Sequence, residues 1–235
     1  MTSLRATLIA AALLALATPG PARAGGPPGA DTRPAALPVA RSGEATASFA
    51  GGCFWCMETA FEGVAGIRSA TSGYCGGTEE HPTYEQVGAG LTGHAESVQV
   101  IFDPRVISYA QVLDLYWHNS DPFSAEGQFC DRGHQYRPAI FYHDDAQRAL
   151  AERTRRAIEA RFKKKVVTEI VAYRAFWPAE VYHQDFYKKD PERYHSYREG
   201  CGRDRRLREL WGRDAGVAAG VEGAAHPARP SSPGR

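Results

Sequence analysis

Small and larger residues alternate along Ala45-Thr46-Ala47-Ser48-Phe49-Ala50, a pattern that predicts a short strand. Two glycines follow, and Met57 to Glu62 then has helix-forming character with a stop at Gly63. A second strand is predicted over Gly66–Tyr74, ending in the glycine-rich turn Gly73-Tyr74-Cys75-Gly76-Gly77. The stretch Pro82–Val87 is short and half-apolar. From Ala95 to Phe102 the alternation sets Val98, Val100 and Phe102 against Gln99 and Ile101, a third strand. Ser108 with Gln111 forms a capping box that opens a helix through Val112, Leu115 and Tyr116, and Asp121-Pro122 ends it. Gln128–Arg137 is polar but carries aromatics, and leads into a strand at Pro138–Tyr142. A long charged amphipathic helix is expected from Asp144 to Phe162, closed by Lys163-Lys164-Lys165, where cations suit the helix C-terminus. Val166–Ala172 is a β-branched strand, Phe176–Tyr197 is aromatic and irregular, and Arg203–Trp211 is a last basic helix. Helix and strand alternate without a repeat or a Gly-x-Gly-x-x-Gly signature, so a two-layer α+β domain with a mixed sheet is expected.

The ends of the chain read differently. Met1–Arg5 is positive, Ala6–Ala17 is apolar, and Ala22-Arg23-Ala24 offers small residues for a signal peptidase. Residues 1–24 are therefore expected to be a secretory signal peptide, too short for a membrane span. Residues 25–45 are expected to be a disordered linker, residues 46–212 the catalytic domain, and residues 213–235 a disordered tail. Export places the mature protein in an oxidising compartment, the periplasm if the source is Gram-negative. The 235 residues carry a formal net charge of +1, which argues against nucleic acid and anionic membranes as partners. Five cysteines are too few for a disulfide scaffold, and the odd count leaves at least one thiol free or cycling.

The candidate chemistry starts at Gly51-Gly52-Cys53-Phe54-Trp55-Cys56. Strand, glycine pair and helix put Cys53 near a helix N-terminus, where unpaired N–H groups are expected to lower its pKa and favour a thiolate. Phe54 and Trp55 are candidates to wall a pocket for a small apolar group. A zinc site would need a second ligand pair, and Cys75, Cys130 and Cys201 stand singly. A thioredoxin-like pair usually has Trp before its first cysteine and Gly-Pro between the two, where this chain has bulky aromatics. A reactive thiol is the better reading, with a generic thiol–disulfide oxidoreductase and a zinc module as the competing classes.

Further motifs give a more specific likeness. Together with Gly52-Cys53-Phe54-Trp55 and Ser72-Gly73-Tyr74, the runs Thr92-Gly93-His94-Ala95-Glu96, Gly133-His134-Gln135-Tyr136-Arg137 and Tyr182-His183-Gln184-Asp185 resemble the A-type peptide methionine sulfoxide reductases. The likeness extends from about Phe49 to about Gly202. It implies a compact two-layer α/β sandwich of the ferredoxin-like plait type with an irregular C-terminal segment. It also implies no metal or cofactor, and reduction of the S epimer of methionine sulfoxide, free or protein-bound, as a repair activity. By the resemblance Cys53 is the nucleophile, Glu96 the acid, Tyr84 and Tyr136 the hydroxyls that hold the sulfoxide oxygen, and Asp131 the carboxylate ordering them. Phe54 and Trp55 correspond to the cage around the substrate methyl. Two thiols compete to resolve the Cys53 sulfenic acid: Cys56, one turn away, and Cys201, in a glycine-flanked C-terminal segment. Cys75 and Cys130 read as small buried residues, with Cys130 near the site through Asp131. His183 is as readily a structural histidine as a functional one. A thioredoxin-like protein is the expected reductant, and the enzyme is expected to be a monomer.

Overall fold

Residues 29–216 are described by the computed structural model of the chain. The expected signal peptide and the tail beyond residue 216 lie outside the described residues. In chain order the elements are β1 (Ala45–Ala50), α1 (Phe54–Phe61), β2 (Ile67–Cys75), α2 (Tyr84–Gly88), β3 (Ala95–Phe102) and α3 (Tyr109–His118). Then come β4 (Gly127–Gln128), β5 (Asp131–Arg132), β6 (Ala139–Tyr142), α4 (Asp145–Phe162), β7 (Glu169–Ala172) and β8 (Phe176–Pro178). The chain closes with α5 (Phe186–Lys189), α6 (Pro191–Gly200) and α7 (Arg203–Trp211).

Six strands form one sheet in the order β7-β6-β1-β3-β2-β8, and β4 and β5 make a separate small hairpin. Only the β6–β7 pairing is parallel, so the sheet is mixed as expected. β3 lies between β1 and β2, and all eight of its residues are buried. Its alternation divides the core. Val98, Val100 and Phe102 join Ala47, Phe49 and Ile140 beneath residues of α1, α3, α4 and α7, while Ala95 turns to the opposite face with Cys75, Phe141 and Phe176. Glu96 has the parity of Val98, so it points toward α1.

The Ser108–Gln111 capping box is present, with both reciprocal hydrogen bonds. Thr83 and Gln86 make a second box that opens α2, in the stretch the sequence left half-apolar. α1 begins three residues earlier than its pattern suggests, because Phe54 and Trp55 are buried on it. The segment read as irregular contains β8 and α6. α6 starts from the Asp190 side chain, which accepts the Arg193 N–H at 3.1 Å, with Pro191 in its first turn.

The expected linker needs a correction. Part of it lies along the chain after β8: Ala35 N–H donates to Ala179 O at 3.0 Å and Val181 N–H to Arg33 O at 2.9 Å. Those backbone groups would otherwise lack partners, and pairing them orders a stretch whose composition alone gives no reason for order. Similarly, residues 212–214 form a short 3-10 turn, and Gly216 N–H bonds His118 O at 2.9 Å. Among the described residues no helix is long and apolar enough to cross a membrane.

Glu58 is buried on α1, where it accepts the Ser72 hydroxyl at 2.7 Å and the Asp185 N–H at 2.9 Å. Burial outweighs these hydrogen bonds and pushes its carboxyl from 4.5 up to about 8. Between those values the folded state holds a proton that the unfolded state has lost, so stability falls as pH rises through that window. Glu58→Gln preserves the hydrogen-bonding shape and removes the titration. Urea unfolding should show the variant gaining on wild type by roughly 2–4 kcal/mol between pH 5 and pH 8. Parallel pH profiles for the two proteins would contradict a buried, neutral Glu58.

Candidate active site

The turn from β1 into α1 brings the nucleophile candidate to the C-terminal end of a central strand. Gly52 has φ +82°, and a Cβ there would lie 2.5 Å from Gln128 Cβ, so both conformation and space call for glycine. Cys53 is the N-cap of α1 and its side chain makes no capping hydrogen bond. The free amides at this helix start go elsewhere. Phe54 N–H donates to Glu96 Oε2 at 3.0 Å, and the Asp131 carboxylate lies against the Cys53 amide, which lowers its pKa. Two carboxyl groups on different elements thus hold consecutive amides of the nucleophile turn.

This arrangement overturns the expected thiolate at Cys53. Burial pushes the Cys53 thiol well up, reinforced by its hydrogen bond to Cys56 and by the negative charges of Cys56, Glu96 and Asp131. Cys56 is pulled down to about 6 by the hydrogen bond from Cys53, against its own burial, and the Arg203 and Arg198 cations add to the pull. The two thiols titrate as a pair that shares one proton, and the hydrogen bond from Cys53 with the two arginines biases the negative charge toward Cys56. Helix-end amides would have favoured the Cys53 thiolate, but they are spent on carboxyls.

Glu96 is 2 % exposed. Burial raises its pKa well above the usual carboxylate range, beyond what the Phe54 amide lowers. It is a neutral acid beside a thiol. Asp131 is also raised by burial, while the Tyr197 hydroxyl, which donates to Oδ2 at 2.6 Å, and the Arg203 charge work the other way. Burial raises both the Tyr84 and the Tyr136 phenols, and Glu96 and Cys53 would add to the rise only when ionised. Among the described residues neither hydroxyl is taken by a protein partner, so both remain available to an oxygen ligand.

Aromatic rings enclose this chemistry. Trp55 stacks on Phe186 at 3.7 Å between ring centroids, and Phe54 lies 6.2 Å from Tyr84. His183 fills the space among them, 4.8 Å from Phe54 and 4.3 Å from Tyr84. Its Nδ1 accepts the Trp55 indole N–H at 3.0 Å, which places the ring proton on Nε2. Burial lowers its pKa to about 3, so it is neutral. Glu180 braces the same wall, accepting the Tyr74 hydroxyl at 2.8 Å and the Tyr84 N–H at 2.9 Å.

The C-terminal helices complete the site with residues that sequence reasoning did not single out. Tyr197 on α6 anchors Asp131. Arg203 on α7 is buried and donates to Gly51 O at 3.1 Å and Asn119 O at 2.7 Å. Its signal lay in spacing: Arg203, Leu207 and Trp211 recur on the buried side of α7, so this arginine shares the apolar stripe. Cys130 and Cys201 form a disulfide, whereas Cys53, Cys56 and Cys75 are free and buried. Cys130 is thus an exposed, bonded residue and not the small buried one expected. Cys201 reaches Cys130, which leaves Cys56 as the free thiol beside Cys53. Cys75 sits on the opposite face of the sheet, where burial raises it to about 12, and it fits the structural reading.

Among the described residues two groups bring possible metal ligands within 4.8 Å of one another, Cys130–Asp131–Cys201 and Glu58–Glu62–Asp185. The first has its sulfurs joined and its carboxylate hydrogen-bonded. In the second Lys188 already pairs with Glu62 at 2.8 Å and Asp185 at 2.6 Å.

The family model of peptide methionine sulfoxide reductase matches residues 45–215. The chain is 52 % identical over 169 residues to peptide methionine sulfoxide reductase MsrA of Bacillus licheniformis, covering 71 % of this chain and 93 % of that protein. It is 47 % identical over 187 residues to peptide methionine sulfoxide reductase MsrA/MsrB of Vibrio cholerae, covering 79 % of this chain and spanning half the length of that relative. Among solved structures, reduced Mxr1 of Saccharomyces cerevisiae superposes with a TM-score of 0.60 at 28 % identity, over 64 % of this chain and 88 % of that one. Methionine sulfoxide reductase A of Corynebacterium diphtheriae gives 0.59 at 27 % identity, over 64 % and 77 %.

His183→Phe retains the ring and removes the acceptor of a buried indole N–H. The variant should lose about 1–3 kcal/mol of unfolding free energy in urea. The Trp55 indole resonance should shift in its ¹H–¹⁵N spectrum. Unchanged stability together with an unmoved resonance would contradict the assigned contact.

Proposed function

Because the chain belongs to the peptide methionine sulfoxide reductase family, we propose that it reduces the S epimer of methionine sulfoxide, free or within proteins, to methionine. The observation that carries this reading is Glu96, a buried neutral carboxyl hydrogen-bonded to the amide that follows Cys53. A sulfoxide sulfur is attacked by a soft nucleophile, and its oxygen must be protonated to leave. A thiol and a carboxylic acid held side by side in an aromatic cage supply both needs.

The steps follow from the charges. The substrate methyl packs against Phe54 and Trp55, and the sulfoxide oxygen meets the hydroxyls of Tyr84 and Tyr136. The Cys53 proton passes to the Cys56 thiolate as the Cys53 sulfur attacks, and Glu96 gives its proton to the oxygen. The attack joins the Cys53 sulfur to the substrate sulfur; the hydroxyl then passes from the substrate sulfur to Cys53 as the substrate S–O and the S–S bonds break, releasing methionine and leaving Cys53 as a sulfenic acid. Cys56 then attacks Cys53, its proton departs with the hydroxyl as water, and a Cys53–Cys56 disulfide remains. A thioredoxin-like dithiol protein restores both thiols by exchange. Asp131 holds the Cys53 amide throughout and Tyr197 holds Asp131.

Other parts of the reading rest on sequence pattern and topology. We read β6-β1-β3-β2 with their crossover helices as a ferredoxin-like plait. Residues 1–24 support export, to the periplasm in a Gram-negative cell, where the enzyme acts as a monomer in protein repair.

Single-turnover methionine release from chiral sulfoxides tests the proposal. Reduced wild type should release methionine from the S epimer, and Cys53→Ser should release none. Glu96→Gln should be slower by about 10²–10⁴-fold. Cys56→Ser should still yield one equivalent. In wild type the rate should fall as pH drops through about 6, where the Cys56 thiolate gains a proton, and Cys56→Ser should lack that limb. Disulfide exchange without methionine from either epimer would return the chain to the generic oxidoreductases.

A further inference from the structure

The Cys130–Cys201 disulfide joins the β4–β5 turn to the junction of α6 and α7. Contacts with the site flank it on both sides. The residue before Cys130, Phe129, lies under the Arg203 guanidinium at 4.3 Å from its ring centroid. The residue after it, Asp131, accepts the Tyr197 hydroxyl at 2.6 Å. Each of these neighbours is tied to the nucleophile turn, Asp131 through the Cys53 N–H and Arg203 through Gly51 O. The Cys130 N–H also donates to the Cys201 sulfur at 3.1 Å. Three successive residues of the turn, 129 to 131, are thereby held to the C-terminal helices. Only the middle link is covalent.

The loop needs such a link. Phe129 has φ +57°, in the left-handed region that a bulky non-glycine residue visits rarely when unrestrained. The hairpin itself is only two residues on each side. The crosslink closes 71 residues of sequence, so its loss would free much conformational entropy at this point.

We propose that the Cys130–Cys201 disulfide is a positioning element that holds Asp131 and Arg203 against the Cys53 turn, and that it takes no part in electron transfer during turnover. This rests on the reductase reading above. Three features favour it over a relay. Cys53 already has a thiol partner in Cys56. Both sulfurs of the second bond are satisfied by one another. And the residues beside the bond, not its sulfurs, make the contacts to the nucleophile turn. Opening the bond should then weaken the placement of Asp131 beneath the Cys53 amide and move the Arg203 charge relative to Cys56. Rate and pH dependence should change together.

The test is single-turnover methionine release by wild type and Cys130→Ser, an exposed position where serine is readily accommodated. Wild type is used with the bond intact, verified by alkylation of three cysteines and not all five. Cys130→Ser should release methionine about tenfold more slowly at saturating sulfoxide, with its acid limb displaced upward from pH 6. In an Asp131→Asn background the same change should cost less rate than in wild type, because part of the bond's effect passes through Asp131 and the rest through Arg203. A Cys130→Ser enzyme with the wild-type rate and pH profile would overturn the proposal. So would a normal single turnover with loss only of dithiol-driven cycling, the signature of a relay. Additive losses in the double variant would overturn it as well. If intact wild type itself released no methionine, the reductase reading would be the one to fall. Chemical opening of the bond in folded wild type, read as five alkylated cysteines, should reproduce the slower rate without any substitution.

Discussion

Two amides at the start of α1 each meet a buried carboxyl group, and the site depends on this constraint. A helix N-terminus offers N–H groups that want acceptors, and a sulfur at the cap could have taken them. Here β3 supplies Glu96 and the β4–β5 turn supplies Asp131, so the amides are satisfied by oxygen. Both carboxyls are drawn into the interior by a good hydrogen bond and then titrate upward because burial penalises their charge. Glu96 is left as a neutral acid in contact with the nucleophile turn. Cys53 is left without helix-end solvation, and its proton is shared with Cys56.

The buried charges compensate one another across the chain. A thiolate in a closed aromatic site would be costly alone. Arg203 and Arg198 are buried within reach of it and lower Cys56, while Arg203 also opposes the rise at Asp131. Both arginines come from the last fifth of the described chain. The catalytic turn near the N-terminus is therefore electrostatically incomplete until α6 and α7 have docked. The Tyr197–Asp131 hydrogen bond, the Arg203 contacts and the Cys130–Cys201 bond all serve that docking.

Much of the frame was legible because its signals are local. β1, β3 and α7 were bounded as the patterns implied, and the Ser108–Gln111 box opened its helix. Glu96 was legible only through the resemblance; in the structure its parity with Val98 turns it inward, and burial keeps its proton on. Where tertiary contacts override local pattern, the sequence reading stopped short. α1 starts at Phe54 because those aromatics have a pocket to fill. Asp31–Pro34 is ordered because the chain after β8 offers backbone partners. Arg203 was hidden among neighbouring arginines, and its place on the apolar stripe of α7 was the one clue.

By itself the sequence determined the strands, the capping boxes and the motifs that carry the family resemblance, and through that resemblance the candidates for nucleophile, acid and cage, because residue type and order are local properties that survive without coordinates. Tertiary structure alone decided which thiol carries the charge, which cysteine bonds with which, and what anchors Asp131. These are matters of distance and competing acceptors between segments about 70 to 150 residues apart. A helix-terminal cysteine looks activated in one dimension. In three dimensions its amides have already been claimed by carboxyls from elsewhere, and the charge settles where the buried arginines are.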